Sequence, residues 1–184
     1  MHRSWKFAAT VVIGGVALAG CLNPGVRQVT PTLMRDTAAP GLWHTFGGTG
    51  CFFERLSDFS GEDHGTIASF ASPGGPRYVE IKTSDAGFNS VNCVPWAAAD
   101  GPFDKKIGAV DGEFTQGDYR VGIDIEAGDY TASHETGCHW QRLSGFGLED
   151  SDILDEGTDL AEVTIEETDE GFRTWGCGTW TLVT

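Results

Sequence analysis

The chain has 184 residues, with 12 Lys+Arg against 27 Asp+Glu and a formal net charge of −15. That balance excludes a nucleic-acid binder, which needs a basic footprint, and it argues against flat contact of the whole molecule with an anionic lipid surface. Five cysteines and 26 glycines point to a crosslinked, turn-rich chain, large enough for one domain or two small ones.

The first element is an export signal. "MHRSWK" is a short positive segment, and "FAATVVIGGVALA" is an apolar stretch too short to span a bilayer well. "LAGC", Leu18 to Cys21, follows it. This order resembles a bacterial lipobox, in which the cysteine after the cleavage point carries a diacylglyceryl thioether. The resemblance implies a signal peptide over residues 1–20, lipidation of Cys21 and a chain held at the extracytoplasmic face of the cell membrane. Two acyl chains on one residue anchor stably, where a single chain binds only marginally. Cleavage removes Arg3 and Lys6 but no acid, so the mature chain carries ten Lys+Arg against 27 acids, a formal charge of −17. Residues 21–38, punctuated by Pro24 and Pro31, read as a tether.

Beyond the tether the chain repeats itself. An offset of 87 residues lays "PGLWHTFGGTGCFFERLSDFS" on "AGDYTASHETGCHWQRLSGFG", matching Trp43 with Tyr130, Cys51 with Cys138 and Arg55-Leu56-Ser57 with Arg142-Leu143-Ser144. With three residues fewer between, "VEIKTSDAGFNSVNCVPW" lies on "VTIEETDEGFRTWGCGTW", keeping seven identities in eighteen, among them both C-x-x-W endings. Internal duplication is the strongest signal in the chain, and it divides the mature part into a first module over 39–100 and a second over 101–184.

Each copy reads as short strands. "VEIK" and "VTIE" alternate apolar with polar residues, the period of a half-buried strand. "SDAGF" and "TDEGF" place Asp and Gly where a turn of positive φ is expected. "CHWQR" puts Cys138, Trp140 and Arg142 on one strand face, and "DYRVGIDI" is predicted as another strand, for which the first copy has only "TLMRDTA". A short helical turn is expected only within "DSDILDEGTDLAEV". The fold class is therefore all-β, as two tandem homologous small sandwich- or barrel-like modules. The pairing that the repeat favours is Cys51–Cys93 and Cys138–Cys177. Each bridge would close a loop of about 40 residues, worth roughly 4 kcal/mol in the chain-entropy account, and would compensate for a core too thin to stand alone. Trp96 and Trp180 are expected to pack over these bridges. The run "YRVGIDIEAGDYTA", the following "GCHWQR" and the terminal "GCGTW" resemble a small cysteine-containing β module of secreted and surface lipoproteins of actinobacteria. That resemblance implies architecture and location, not chemistry.

The same comparison sorts candidate sites. Cys138, His139 and Ser144 look like a catalytic cluster, yet His139 stands where the first copy has Phe52 and His134 where it has Gly47. The stretch is scaffold. Shared aromatic positions read as core. Trp175, which replaces Val91, and its neighbour Arg173 are the candidates for exposed ligand contact. Residues 111–184 hold 18 acids and three arginines, while residues 22–110 hold nine acids and seven bases. Asp150, Asp152, Asp155 and Asp159 offer the oxygen ligands Ca²⁺ prefers, but at the wrong spacing for an EF-hand loop. A solvated acidic loop is the simpler reading. No zinc-type Cys pairing, G-x-S-x-G, phosphate loop or H-E-x-x-H is present, and no other cofactor is expected. The leading expectation is binding or envelope interaction, with a cationic, protein or glycan partner. The alternatives are a shielding lipoprotein without a specific ligand and an envelope hydrolase whose paired carboxylates come from distant strands.

Overall fold

The computed structural model describes residues 39–60, 65–99, 108–109 and 112–183. The first copy forms β1 (Gly41–Thr45), β2 (Phe52–Leu56), β3 (Thr66–Ala71), β4 (Arg77–Ile81), β5 (Gly87–Val91) and β6 (Ala97–Ala98). These strands make two three-stranded sheets, β4-β1-β6 and β3-β2-β5. The second copy forms β7 (Glu113–Phe114), β8 (Gly117–Arg120), β9 (Gly128–Ala132), β10 (His139–Leu143), β11 (Ile153–Thr158), β12 (Glu162–Ile165), β13 (Gly171–Trp175) and β14 (Trp180–Leu182). Its sheets have four strands each, β11-β10-β13-β8 and β12-β9-β14-β7. The pairings within each sheet are antiparallel. The fold is thus all-β, in two tandem modules.

Identical residues do identical work in the two copies. Arg55 on β2 grips Asp85 with two bonds of 2.7 Å, and Arg142 on β10 grips Asp169 at 2.7 and 3.0 Å. Each carboxylate also accepts a backbone N–H three residues earlier, from Lys82 and from Glu166. The buried Asp of "SDAGF" and "TDEGF" is therefore the acceptor of the shared arginine. The expected turns form, closed by Asp85 N–H to Lys82 O and Asp169 N–H to Glu166 O at 3.1 Å, but neither Gly87 nor Gly171 takes the positive φ expected there, and each opens a strand. At Gly171 the reason for glycine is space, because a Cβ would run into the Phe146 ring. Trp43 Nε1 donates to the Ala39 carbonyl at 3.0 Å, and the Tyr130 hydroxyl to the Glu126 carbonyl at 2.9 Å. Both span four residues at the entrance of the first shared strand.

Both disulfides form as expected, Cys51–Cys93 and Cys138–Cys177. Trp96 and Trp180 are fully buried in the same apolar clusters as these cysteines. The Trp180 indole donates to the Thr174 hydroxyl at 2.9 Å, whereas the Trp96 Nε1 has no hydrogen-bond partner among the described residues.

One expectation changes, and the short helical turn expected in the acidic run forms at its start. "DYRVGIDI" is strand only as far as Arg120, because Asp124 turns back to bind the Arg120 backbone N–H at 2.8 Å and its guanidinium at 3.0 and 3.2 Å. The acidic run is a 3₁₀ turn over Asp150–Asp152 that leads straight into β11. The "TLMRDTA" segment and Cys21 lie outside the described residues.

Candidate functional site: the joint and groove between the modules

The two copies are not beads on a string. Tyr78 and Ala99 of the first copy are buried in the apolar cluster of the second, and Leu148 of the second packs on the cluster of the first. Polar contacts fasten the same seam. Asp118 on β8 has a fully buried side chain and accepts from Arg77 of the first copy at 2.7 Å and from Arg173 of its own copy at 2.9 and 3.2 Å. It also takes the Tyr78 backbone N–H at 3.2 Å. Burial alone would push its pKa up, but Arg173 and Arg77 outweigh that, and the carboxyl is held below its ordinary value. Both guanidiniums lie over the Phe70 ring, at 5.1 Å for Arg77 and 4.7 Å for Arg173. Nearby, the Tyr78 hydroxyl donates to Asp124 at 2.9 Å, Glu80 N–H donates to Phe146 O at 2.9 Å, and Arg55 Nη1 donates to Gly147 O at 2.6 Å.

Two depressions flank this joint. One, of about 380 Å³, is lined by Leu42 and Glu80 of the first copy and Arg120, Ser144, Phe146 and Glu170 of the second. The other, of about 140 Å³, is bordered by Phe70, Gln141, Leu148, Glu149, Asp150, Asp152, Arg173 and Trp175. In the second, Trp175 stacks on His139 with centroids 5.2 Å apart and planes 15° from parallel, and it meets Phe70 edge-on at 6.2 Å. The rim is acidic. Asp150 is exposed, and Glu149 has its pKa lowered, first by the hydrogen bond from Lys82 and then by that from Arg55. A wider hollow of about 440 Å³ lies on the other sheet of the second copy, beside Asp129, Tyr130 and Thr164. Its Thr164 hydroxyl is already bound to Asp129.

The expected site residues fall into distinct groups. Trp175 lines the groove and is half-buried. Arg173 borders it too but is only 4% exposed, so the exposed contact expected of Arg173 is corrected. Its charge is consumed by Asp118 and Phe70. Asp150, Asp152, Asp155 and Asp159, weighed as Ca²⁺ ligands, are not brought together. Among the described residues no three His, Cys, Asp or Glu side chains converge on a metal position. Asp152 caps the 3₁₀ turn through the Glu149 N–H, Asp155 accepts the Glu156 N–H, and Asp159 accepts the Gly137 N–H. Ser144 closes a turn onto Asp152 O with its N–H at 2.8 Å and its hydroxyl at 3.2 Å, as Ser57 does onto Gly65 O at the same two distances.

Sequence reasoning missed Phe70, Arg77 and Asp118. The available signal was their lack of a matching residue in the other copy: Phe70 and Arg77 stand where the second copy has Gly157 and Ala161, and Asp118 where the first has Pro31. Residues that differ between the copies need not serve a ligand, and here several of them make the joint.

No helix among the described residues is long and apolar enough to cross a membrane. No curated protein and no solved structure matches the chain. Residues 33–97 and again 109–181 match the model of the Rv1352-like extracellular domain, and the chain belongs to that family as two such domains in tandem.

Proposed function

We infer that this is a lipid-anchored extracytoplasmic binding protein whose contact face is the groove beside Trp175, with a basic side chain of a protein partner as its ligand. The family supports an extracellular location, and Cys21 within "LAGC" is the residue that would carry the anchor. The observation that carries the binding reading is the pairing of an aromatic shelf, Trp175 on His139, with the acidic rim of Glu149, Asp150 and Asp152. Aromatic faces and carboxylates together favour a cation. The groove of about 140 Å³ is smaller than the ~300 Å³ at which enclosed small-molecule sites begin, so it suits one side chain reaching in from a partner's surface.

Shielding without a ligand calls for a patch-free acidic surface, and the exposed Phe46, Val91 and Val94 weigh against it. A hydrolase calls for a carboxylate pair free to trade protons. The buried Asp85, Asp118, Asp124 and Asp169 are each held by arginine.

The test is calorimetry of the intact chain against a short oligolysine peptide at low and physiological salt. Binding should weaken as salt rises and fall at least tenfold in Trp175→Ala. Affinity unchanged in that variant, or no binding at either salt, would refute the reading.

A further inference from the structure

We propose that the disulfide end of the first module, centred on Phe46, Val91 and Val94, is a lipid-contacting surface that rests on the outer leaflet of the membrane. Phe46, Val91 and Val94 are 51%, 41% and 42% exposed, and the backbone gathers them at one end of the sandwich. Val94 N–H donates to Gly47 O at 2.6 Å, and the Thr45 hydroxyl donates to Val94 O at 2.6 Å. Val91 stands across from Phe52 in the β2–β5 ladder, with the Cys51–Cys93 bridge beside it. The Phe46 ring is held edge-on against His44 at 5.7 Å.

Duplication shows that the fold does not require Phe46 and Val94, whereas Val91 is matched by another large apolar residue, Trp175. Ser133 stands in place of Phe46, Gly178 in place of Val94, and His139 in place of Phe52. The charge pattern differs in the same direction. Neither 39–53 nor 86–99 contains an Asp, Glu, Lys or Arg, while the segment equivalent to the first, 126–140, contains Glu126, Asp129 and Glu135. In a chain of net charge −15, this end is where an anionic leaflet is approached at least electrostatic cost, since charges act over only about 8 Å at physiological salt.

Extent selects the occupant. Three half-exposed side chains offer no more than a few hundred Å², short of the roughly 800 Å² per partner that a stable protein interface buries. A bilayer interface sets no such threshold, and a ring at headgroup level is favourable there. The proposal rests on anchoring at Cys21, as inferred above. Seventeen residues separate Cys21 from Ala39, a reach of at most about 60 Å, and a short tether raises the local concentration to the millimolar range, so a weak contact suffices.

The experiment uses the full mature chain on vesicles of phosphatidylcholine and phosphatidylglycerol containing a photoreactive diacyl lipid, at millimolar total lipid. Adducts are mapped by mass spectrometry, and the intact mass reports separately whether Cys21 is lipidated. Adducts should concentrate on 46–52 and 91–94 and fall at least fivefold in Phe46→Ser/Val94→Ser, with thermal unfolding showing that the variant is folded. A chain without lipid on Cys21 overturns the anchor alone, because the adduct map is still read at that lipid concentration. Adducts spread over the second module, no adducts at all, or a dimer in solution closed through Phe46 would overturn the proposal.

Discussion

At the scale of single residues, arginine–aspartate pairs decide how this thin-cored molecule holds together. Arg55 and Arg142 are the same residue in two settings. The Arg55 side chain is 1% exposed and also donates to Gly147 O in the other copy, while the Arg142 side chain is 18% exposed and serves its own copy. Leaving a buried carboxylate without its partner costs about 3–5 kcal/mol. Arg55→Met should therefore lose that much in urea unfolding, and Arg142→Met less, because water reaches its site. Equal losses would show that the bond across the seam contributes nothing. Asp118 gives a pH signature. Its folded pKa is depressed, so the stability it supplies is complete above the unfolded value of about 3.9 and is lost as pH falls through the lower folded value. Asp118→Asn removes that dependence and strands two guanidiniums. The variant should be less stable at neutral pH, and its stability should fall less steeply below about pH 4 than that of the parent chain.

At the scale of elements, the repeat revealed most of what is common to the copies. The disulfide pairing, the strands around "VEIK" and "VTIE", and the packing of the C-x-x-W tryptophans were legible because each needs the same residue twice. What differs was not legible, since it depends on which space a neighbour leaves. Phe53 faces Phe70 across β2 and β3, at 5.8 Å between rings. The equivalent pair in β10 and β11 is Trp140 and Gly157, and a Cβ on Gly157 would overlap the Trp140 indole. One large ring over glycine in the second copy replaces two phenyl rings in the first. Aligned sequence shows both exchanges separately but not that each compensates the other. Gly157→Phe alone should overpack the sheet edge, at a cost of about 1–3 kcal/mol or more. Trp140→Phe alone should leave a void. The double variant should recover most of the loss, read as a coupling energy in a thermal-unfolding cycle. Strict additivity would show that the two positions do not share a space.

At the scale of the whole molecule, the joint explains how two similar modules are fastened to each other. Its surfaces come from opposite sides of the repeat. The first copy supplies Phe70, Arg77 and Tyr78 from β3 and β4, and the second supplies Asp118, Arg120 and Arg173 from β8 and β13. The second copy has Gly157 and Ala161 where Phe70 and Arg77 would be needed to dock onto a third module, and the first has Asn89 where an acceptor face would need Arg173. A head-to-tail contact whose surfaces are not carried by both copies does not propagate into a filament. The same asymmetry sets cooperativity. Tyr78 and Ala99 are fully buried in the second copy's cluster, so unfolding the first copy uncovers apolar surface on the second. It also leaves Asp118 with one of its two guanidiniums. With the joint intact, the two modules are then expected to unfold together. Calorimetry of the intact chain, with both disulfides closed, should give one transition whose van't Hoff and calorimetric enthalpies agree. Arg77→Ala should lower that transition and split it in two, because it cuts the seam while leaving the Arg55–Asp85 and Arg142–Asp169 pairs in place. Two well-separated transitions in the parent chain would mean that the modules are stable apart, and that the joint orients them without holding them up.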